Sequence, residues 1–329
     1  MLKAVLIGAG NHSETVHGPS LAHYAEQHPD EIELAAVCDL REERAELFCE
    51  KFGFHRSYTD LDRMFDQEHP GACWLVSPIA ATRELAGRVM ERGVPVIFEK
   101  PPGKDLQEAQ ELAEISARTG TPNMVAFNRR WAPCTRRTMA WAQEHGPFDY
   151  LYACMLRSGR MEKRFAFGTG IHLLDCVRAL GEAALGGLAS ARTVRTRAPA
   201  DTAHYHVDLE FKSGAKGRCD ILPTCGVVDE RYALFGSNRS ILYTLPWITG
   251  YGVNVEGRAD LIVRSEVVES EVWPAEPGYL NIGFYGETEE FIAALREGRR
   301  PSPSAEEAVD SVALADAVQE GREIEFPSR

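Results

Sequence analysis

Four groups of residues have types and spacings that could carry chemistry. Gly8-Ala9-Gly10-Asn11-His12-Ser13 joins an apolar run to a helical pattern. Glycines there permit a tight turn and close approach of backbone to a diphosphate, and the helix N-terminus adds N–H donors. Ser13 fills the third small position of that turn. Asp39 ends the next apolar run. A carboxylate at that place accepts hydrogen bonds from adenosine ribose hydroxyls, which favours NAD, whereas Arg41 beside it suits a 2′-phosphate and keeps NADP open. Asp39 can equally cap the helix that starts near Arg41. Glu99-Lys100-Pro101-Pro102 closes a further apolar run. Ligands of doubly wound sheets lie at such strand ends, so Lys100 stands over a ligand or is an ordinary surface lysine at a turn. In Gly170-Ile171-His172-Leu173-Leu174-Asp175, His172 and Asp175 are three apart and share a helix face. Histidine is the usual general acid/base near neutral pH; the alternative is a core histidine satisfied by Asp175.

A fifth group bears on ligand charge. Arg157, Arg160, Lys163 and Arg164 cluster just before the helix that carries His172. Guanidinium groups match carboxylates and phosphates in bidentate geometry, so Arg160 or Arg164 could hold an anionic substrate. The competing reading is a solvated loop paired with nearby Glu and Asp.

The elements that must position these groups follow from the hydrophobic pattern. Apolar runs at Leu2 to Ile7, Ile32 to Cys38, Ala72 to Val76, Val94 to Phe98 and Met124 to Phe127 alternate with helical spacing. Buried strands separated by helices predict a parallel, doubly wound sheet covered on both faces. Gly18-Pro19 interrupts the first helical stretch, so that helix is expected to kink or restart there. From about Asp149 the strands follow one another: Tyr150 to Leu156, His204 to Phe211, Lys216 to Ile221, Arg231 to Phe235 and Ile241 to Leu245. Their alternation predicts a large, mostly antiparallel open sheet with one wet face. Two helices close the chain, the last opened by a Ser304–Glu307 capping box. The expected domains are 1–126 and 127–329.

Composition narrows the partners. The chain has 329 residues, 44% hydrophobic and 26% charged, with a net charge of -13. That acidity disfavours nucleic acid and anionic membranes, and no apolar run is long enough to span a bilayer. None of the eight cysteines forms a C-x-x-C or stands at zinc-finger spacing, so no metal site is expected. Cysteines such as Cys38, Cys73, Cys154 and Cys176 lie among apolar neighbours, as in a reducing compartment. A cytoplasmic location is expected.

Taken in order, these pieces resemble the glucose–fructose oxidoreductase/inositol dehydrogenase (Gfo/Idh/MocA) family over nearly the whole chain. The markers are Gly8-x-Gly10, Cys38-Asp39, Ser77-Pro78, Glu99-Lys100-Pro101, Phe127-Asn128-Arg129-Arg130-Trp131 with Pro133, Gly170-x-His172-x-x-Asp175, and the closing segment from Phe291. The resemblance implies a Rossmann domain followed by an α+β domain. It also implies an NAD(P)-dependent oxidoreductase acting on a hydroxyl of a sugar, cyclitol or related polyol. Under it, Gly8, Gly10, Asn11, His12, Asp39, Arg41, Ser77, Pro78, Glu99 and Lys100 hold the cofactor. Lys100 and His172 are the catalytic pair, and Asn128, Arg160, Arg164, His172 and Asp175 face substrate. Pairing through the exposed sheet into a homodimer or homotetramer is implied as well.

Two positions depart from the family pattern. Gly168 stands where many members carry an Asp, and Thr82 where a His is frequent. The first keeps one alternative alive, a catalytically inactive cofactor-binding regulator of the same fold, against which the retention of Lys100 and His172 argues; a further alternative is an NAD-dependent enzyme that cleaves glycosides through transient oxidation.

Overall fold

The computed structural model describes residues 1–199, 202–247 and 255–327. It divides the chain into two compact units, 1–127 with 284–309, and 128–283 with 310–329.

The first unit is built on six strands: β1 (Leu2–Ile7), β2 (Ile32–Cys38), β3 (Arg56–Tyr58), β4 (Ala72–Leu75), β5 (Val96–Glu99) and β6 (Asn123–Ala126). They form a sheet of order β3-β2-β1-β4-β5-β6, parallel throughout. The strands are apolar end to end because both faces are covered; Leu6, Trp74 and Phe98 are fully buried. The connecting helices are α1 (Gly18–Gln27), α2 (Glu42–Phe52), α3 (Leu61–Glu68), α4 (Ile79–Glu91) and α5 (Leu106–Thr119). The short β3 and α3 went unread in the sequence, β3 because its Arg-Ser-Tyr segment is polar and lies at the sheet edge.

The expected break at Gly18-Pro19 is present. Residues Ser13–His17 form a π-helical turn and α1 starts at Gly18 with Pro19 in its first turn. Proline has no N–H to return to the carbonyl four residues back, so a regular α-helix cannot run through this point.

The second unit carries α6 (Pro133–His145), β7 (Tyr150–Leu156), α7 (Ile171–Leu185), β8 (Leu188–Arg197), β9 (Ala203–Phe211), β10 (Lys216–Leu222), β11 (Asp229–Gly236), β12 (Arg239–Thr244), β13 (Gly257–Val263), β14 (Glu266–Trp273) and a short α8 (Gly278–Asn281). The final segments are α9 (Phe284–Glu297), α10 (Ala305–Glu320) and β15 (Glu323–Glu325). The nine-stranded sheet runs β14-β13-β12-β11-β7-β10-β9-β8-β15. Only the β7–β10 pair is parallel; every other neighbour is antiparallel. Strands β8 and β14 are not legible in the sequence because Arg, Thr and Glu break their apolar pattern.

The expected second domain, 127–329, gives up Phe284–Val309 to the first unit. Long-range packing explains this. Phe291 of α9 meets Trp74 of β4 edge-on at 5.3 Å, and the Ala305 N–H donates to Asn123 Oδ1 of β6 at 2.8 Å. The Ser304–Glu307 capping box forms as read: Ser304 N–H donates to Glu307 Oε2 at 2.7 Å, and Glu307 N–H to Ser304 Oγ at 3.4 Å.

Candidate functional site

The C-terminal edge of the parallel sheet assembles the first part of the site. Gly8 follows β1 with φ +93, and a Cβ there would lie 2.0 Å from the Val76 carbonyl oxygen. No other residue fits this turn. Gly10, by contrast, has nothing within 4 Å of a built Cβ. The turn is therefore pinned at one glycine and open at the other, where a phosphate could approach. Ser13 Oγ donates to the Gly8 carbonyl and closes the turn from below.

Asp39 combines the two roles read from the sequence. Its Oδ2 accepts from Ala9 N–H at 2.8 Å, and its Oδ1 from Arg41 N–H at 2.9 Å. The carboxylate thus fastens the glycine turn to the end of β2 while keeping lone pairs for a ligand. It lines a groove of about 790 Å³ with Gly8, Gly10, Leu40, Arg41, Ser77 and Pro78 among its walls. Leu40 is 95% exposed at that groove, an apolar side chain left with nothing of this unit over it. Ser77 Oγ shares a 3.1 Å hydrogen bond with Thr82, which also donates to the Pro78 carbonyl. The residue that replaces the family's frequent histidine therefore braces the turn before α4.

The strand-end carboxylate of β5 is the electrostatic focus. Glu99 is 8% exposed. Its Oε1 lies 3.0 Å from His12 Nε2 and 2.8 Å from His17 Nε2, and its Oε2 accepts from Lys100 N–H at 3.2 Å. Burial opposes its ionisation, but the two imidazoles outweigh burial and hold the carboxyl well below the usual range. Burial lowers the pKa of His17, more than Glu99 raises it. His12 and His17 are five apart, which in an α-helix would put them on different faces. The π turn brings them together, edge to face at 5.4 Å. Sequence reading found His12 and missed His17; the signal was Pro19, which forbids regular helical spacing there. Lys100 is half-buried directly after Glu99.

In the second unit, His172 is the second residue of α7 and buried. Asp175, three residues on, is fully buried, and both its oxygens are engaged elsewhere. Arg130 Nε and Nη2 donate to it at 2.7 Å each, and Ser311 Oγ donates at 2.7 Å. Asn128 is also fully buried. Its Nδ2 donates to the Ile282 carbonyl at 2.8 Å, and its Oδ1 accepts from Arg129 at 3.1 Å. These two residues, expected to face substrate, bind the protein's own groups.

The basic cluster disperses. Arg157 is buried against Glu230. Arg160 Nε donates to Glu162 at 2.6 Å. Arg164 lies 3.9 Å from Asp316 and 4.1 Å from the Phe167 ring centroid. A built Cβ at Gly168 meets nothing within 4 Å, so the family's carboxylate there is replaced by open space.

A parallel sheet of this strand order, with a glycine turn at β1 and an acidic residue at the end of β2, defines a dinucleotide-binding protein. The chain belongs to the Gfo/Idh/MocA oxidoreductase family, whose NAD-binding Rossmann fold matches residues 2–127 and whose C-terminal alpha/beta domain matches residues 165–323. It is 29% identical to D-glucoside 3-dehydrogenase of Escherichia coli over 136 residues, 41% of this chain and 37% of that one. It is 26% identical to D-apiose dehydrogenase of Rhizobium rhizogenes over 176 residues, 50% of each chain. These matches span half or less of the curated relatives. A crystal structure of a dehydrogenase from Chromobacterium violaceum superposes with TM-score 0.81 at 21% identity, covering 98% of this chain and 95% of that one. No helix among the described residues is long and apolar enough to cross a membrane.

Proposed function

We propose that this chain is an NAD-dependent oxidoreductase acting on one hydroxyl-bearing carbon of a sugar, cyclitol or related polyol. The observation that carries the reading is the strand-end assembly of the first unit: a pinned glycine turn, Asp39 on the groove wall and Lys100 at the end of β5. The curated relatives named above, both sugar dehydrogenases by name, support the substrate class.

The residues present fit a dinucleotide, since the turn admits no Cβ at Gly8 yet leaves space beside Gly10. The bound cofactor would supply the hydride acceptor or donor. Gly8, Gly10, Asn11 and His12 would hold its diphosphate, and Asp39 its adenosine ribose. Ser77, Pro78, Glu99 and Lys100 would line the nicotinamide half. Asp39 favours NAD over NADP by repelling a 2′-phosphate, and Arg41 and Arg44 on the same groove soften that preference.

Removal of a hydride from a carbinol carbon requires loss of the hydroxyl proton, so a base and a polarising group are both needed. The residues the family resemblance assigns to these roles are His172 for the proton and Lys100 for the polarising group. Asp175 and Asn128 serve by holding Arg130, Ser311 and the Ile282 segment rather than by touching substrate. Arg160 and Arg164 already face Glu162 and Asp316, so a neutral polyol needs neither. A uronate or sugar phosphate would compete with those carboxylates.

Self-association through the second sheet into a dimer or tetramer is supported by apolar side chains standing exposed on it. Phe235 and Tyr150 are paired across β11 and β7, and Leu242 is on the next strand.

The test is an oxidation screen with NAD over sugars, cyclitols, uronates and glycosides, followed by reduced-nicotinamide absorbance. Net NADH formation with a polyol supports the reading. Glycoside cleavage without net NADH points to the cleaving alternative. Tight NAD binding with no turnover of any substrate points to the regulator.

A further inference from the structure

The helix that carries His172 has no cap from its own flank. The helical run opens with the π turn Ala166–Gly170 and continues directly into α7 at Ile171. A helix start leaves its first N–H groups without carbonyls behind them, and a nearby Ser, Thr, Asp or Asn ordinarily accepts from them. Arg164 and Phe165, the residues before the turn, have no side-chain oxygen to offer, and no local side chain caps it.

The cap comes from α10 instead. Gln319 lies on the stretch of α10 that belongs to the second unit and is buried. Its Oε1 accepts from the Ala166 N–H at 3.1 Å and from the Phe167 N–H at 3.4 Å. Its Nε2 donates to the Lys163 carbonyl at 3.0 Å and to the Tyr205 hydroxyl at 3.1 Å. A backbone N–H only donates and a carbonyl only accepts, so these partners fix which end of the amide is oxygen. One side chain thus satisfies both sides of the turn that leads into α7, and its own amide is fully used.

His172 stands two residues beyond that turn. A π turn carries more residues than an α-helical one, and a slip of one residue rotates a helical side chain by about 100°. The aim of the imidazole therefore depends on the turn keeping its register. Packing leaves the turn little slack on one side, where a Cβ at Gly170 would lie 3.0 Å from Ile221 Cδ1. Beyond the histidine, Ser311 of the same α10 holds Asp175 at 2.7 Å. The helix of His172 is gripped from α10 both before and after that residue.

We propose that Gln319 is a positioning residue for the oxidoreduction: as a cap supplied from α10, it keeps the π turn in register and so aims the His172 imidazole. This rests on the reading that His172 moves the hydroxyl proton. Gln319 acts through that ring and not on the reacting atoms. Without its amide, two N–H groups and a carbonyl lose their partners, and the turn must open or shift to find others. A reacting group misplaced by about 1 Å loses about a hundredfold in rate.

The test is a double-mutant cycle on the full chain. Gln319→Met keeps the length of the side chain and removes its hydrogen bonds; it is made alone and together with His172→Ala. Turnover is measured with NAD and the polyol oxidised fastest in the screen, affinity with NADH, and backbone order by hydrogen exchange over residues 163–172. Alone, Gln319→Met should lower kcat at least about tenfold, leave the Kd for NADH within about twofold and speed exchange at Ala166 and Phe167. Beside His172→Ala it should lower kcat by less than about twofold, because the ring it aims is gone. Equal losses of kcat in both backgrounds are the mark of a merely structural role and overturn the proposal, as does a normal kcat in Gln319→Met. Gln319→Glu is the rescue. It keeps oxygens for both N–H groups, the Tyr205 hydroxyl can donate to it, and the exposed Lys163 can turn its carbonyl to water. It should hold kcat within about threefold of wild type. A loss as large as that of Gln319→Met overturns the capping role. If Gln319→Met does not fold, Tyr205→Phe takes its place in the cycle, with a loss of about threefold expected alone and none beside His172→Ala. Near-normal turnover in His172→Ala, or no oxidation of any polyol, overturns the underlying reading and this proposal with it. A slow His172→Ala beside a normal Gln319→Met overturns this proposal and leaves that reading standing.

Discussion

Glu99 in the first unit and Glu230 in the second are both buried carboxylates, 8% and 1% exposed. Both are ionised against burial by cationic or hydrogen-bonding neighbours. Their partners differ. Glu230 sits between Arg129 and Arg157 and accepts from the Tyr232 hydroxyl at 2.7 Å. The Arg157 guanidinium also lies 4.3 Å from the Trp247 ring centroid. Glu99 sits between two imidazoles, one buried and one open to solvent. Guanidinium stays charged at any accessible pH, whereas imidazole changes charge near neutrality. One carboxylate is locked into a permanent network of the core; the other is held by two imidazoles, beside the glycine turn and a strand-end lysine. A buried charge alone therefore says little about function; the two carboxylates differ in the titratability of their partners and in access from one side.

The largest expected effect tests the locked side. Glu230→Ala leaves Arg129 and Arg157 buried without their counter-ion, and should cost about 3–5 kcal/mol in urea denaturation. A loss below about 1 kcal/mol would mean that water or another acid takes over the two guanidiniums. Next come Lys100→Met and His172→Ala, each expected to cut turnover at least about a hundredfold on the best substrate found, with circular dichroism unchanged. Near-normal turnover in His172→Ala would make His172 a core histidine. Asp39→Ala should follow, weakening NADH by about tenfold or more through loss of the Ala9 and Arg41 hydrogen bonds as well as of the ribose contact. It should also narrow the gap between NADH and NADPH; a Kd for NADPH below that for NADH in the wild-type protein would contradict the role given to Asp39.

The smallest effect separates the two carboxylates directly. The folded-state pKa of His17 is lowered from 6.5, so below that value the unfolded chain binds a proton that the folded one refuses. Stability is full above pH 6.5 and falls as pH drops toward the folded-state value. Glu99 and Glu230 are both depressed from 4.5, so their contributions are full above pH 4.5 and are lost only below it. Between those limits the cluster around Glu99 responds to pH and the one around Glu230 does not. Melting curves across that window should show a decline that His17→Gln flattens and Glu230→Gln leaves in place. A decline untouched by His17→Gln would assign the titration to another group.

Much of this was legible in the residues themselves. Apolar runs at Leu2 to Ile7 and Ile32 to Cys38 must be buried on both faces, and a parallel sheet is how a chain with intervening helices does that. Gly8 is required by a positive φ and a 2.0 Å approach to Val76. Ser304 and Glu307 cap one another because they are three apart at a helix start. Each of these depends on neighbours within a turn or on a repeating pattern, so local chemistry suffices. Other features were decided only by the tertiary structure. His17 joins His12 on Glu99 because Pro19 forces a π turn and β5 arrives beside it from 82 residues away. Asp175 is taken by Arg130, 45 residues distant, and by Ser311, 136 residues on. Arg157 turns inward to Glu230 while Arg160, three residues on, stays outside with Glu162. Phe284–Val309 returns to the first unit because Phe291 finds Trp74 and Ala305 finds Asn123. In each case several partners are chemically equivalent on paper, and burial in three dimensions selects among them, since an unpaired polar group inside the protein costs more than any preference of sequence spacing.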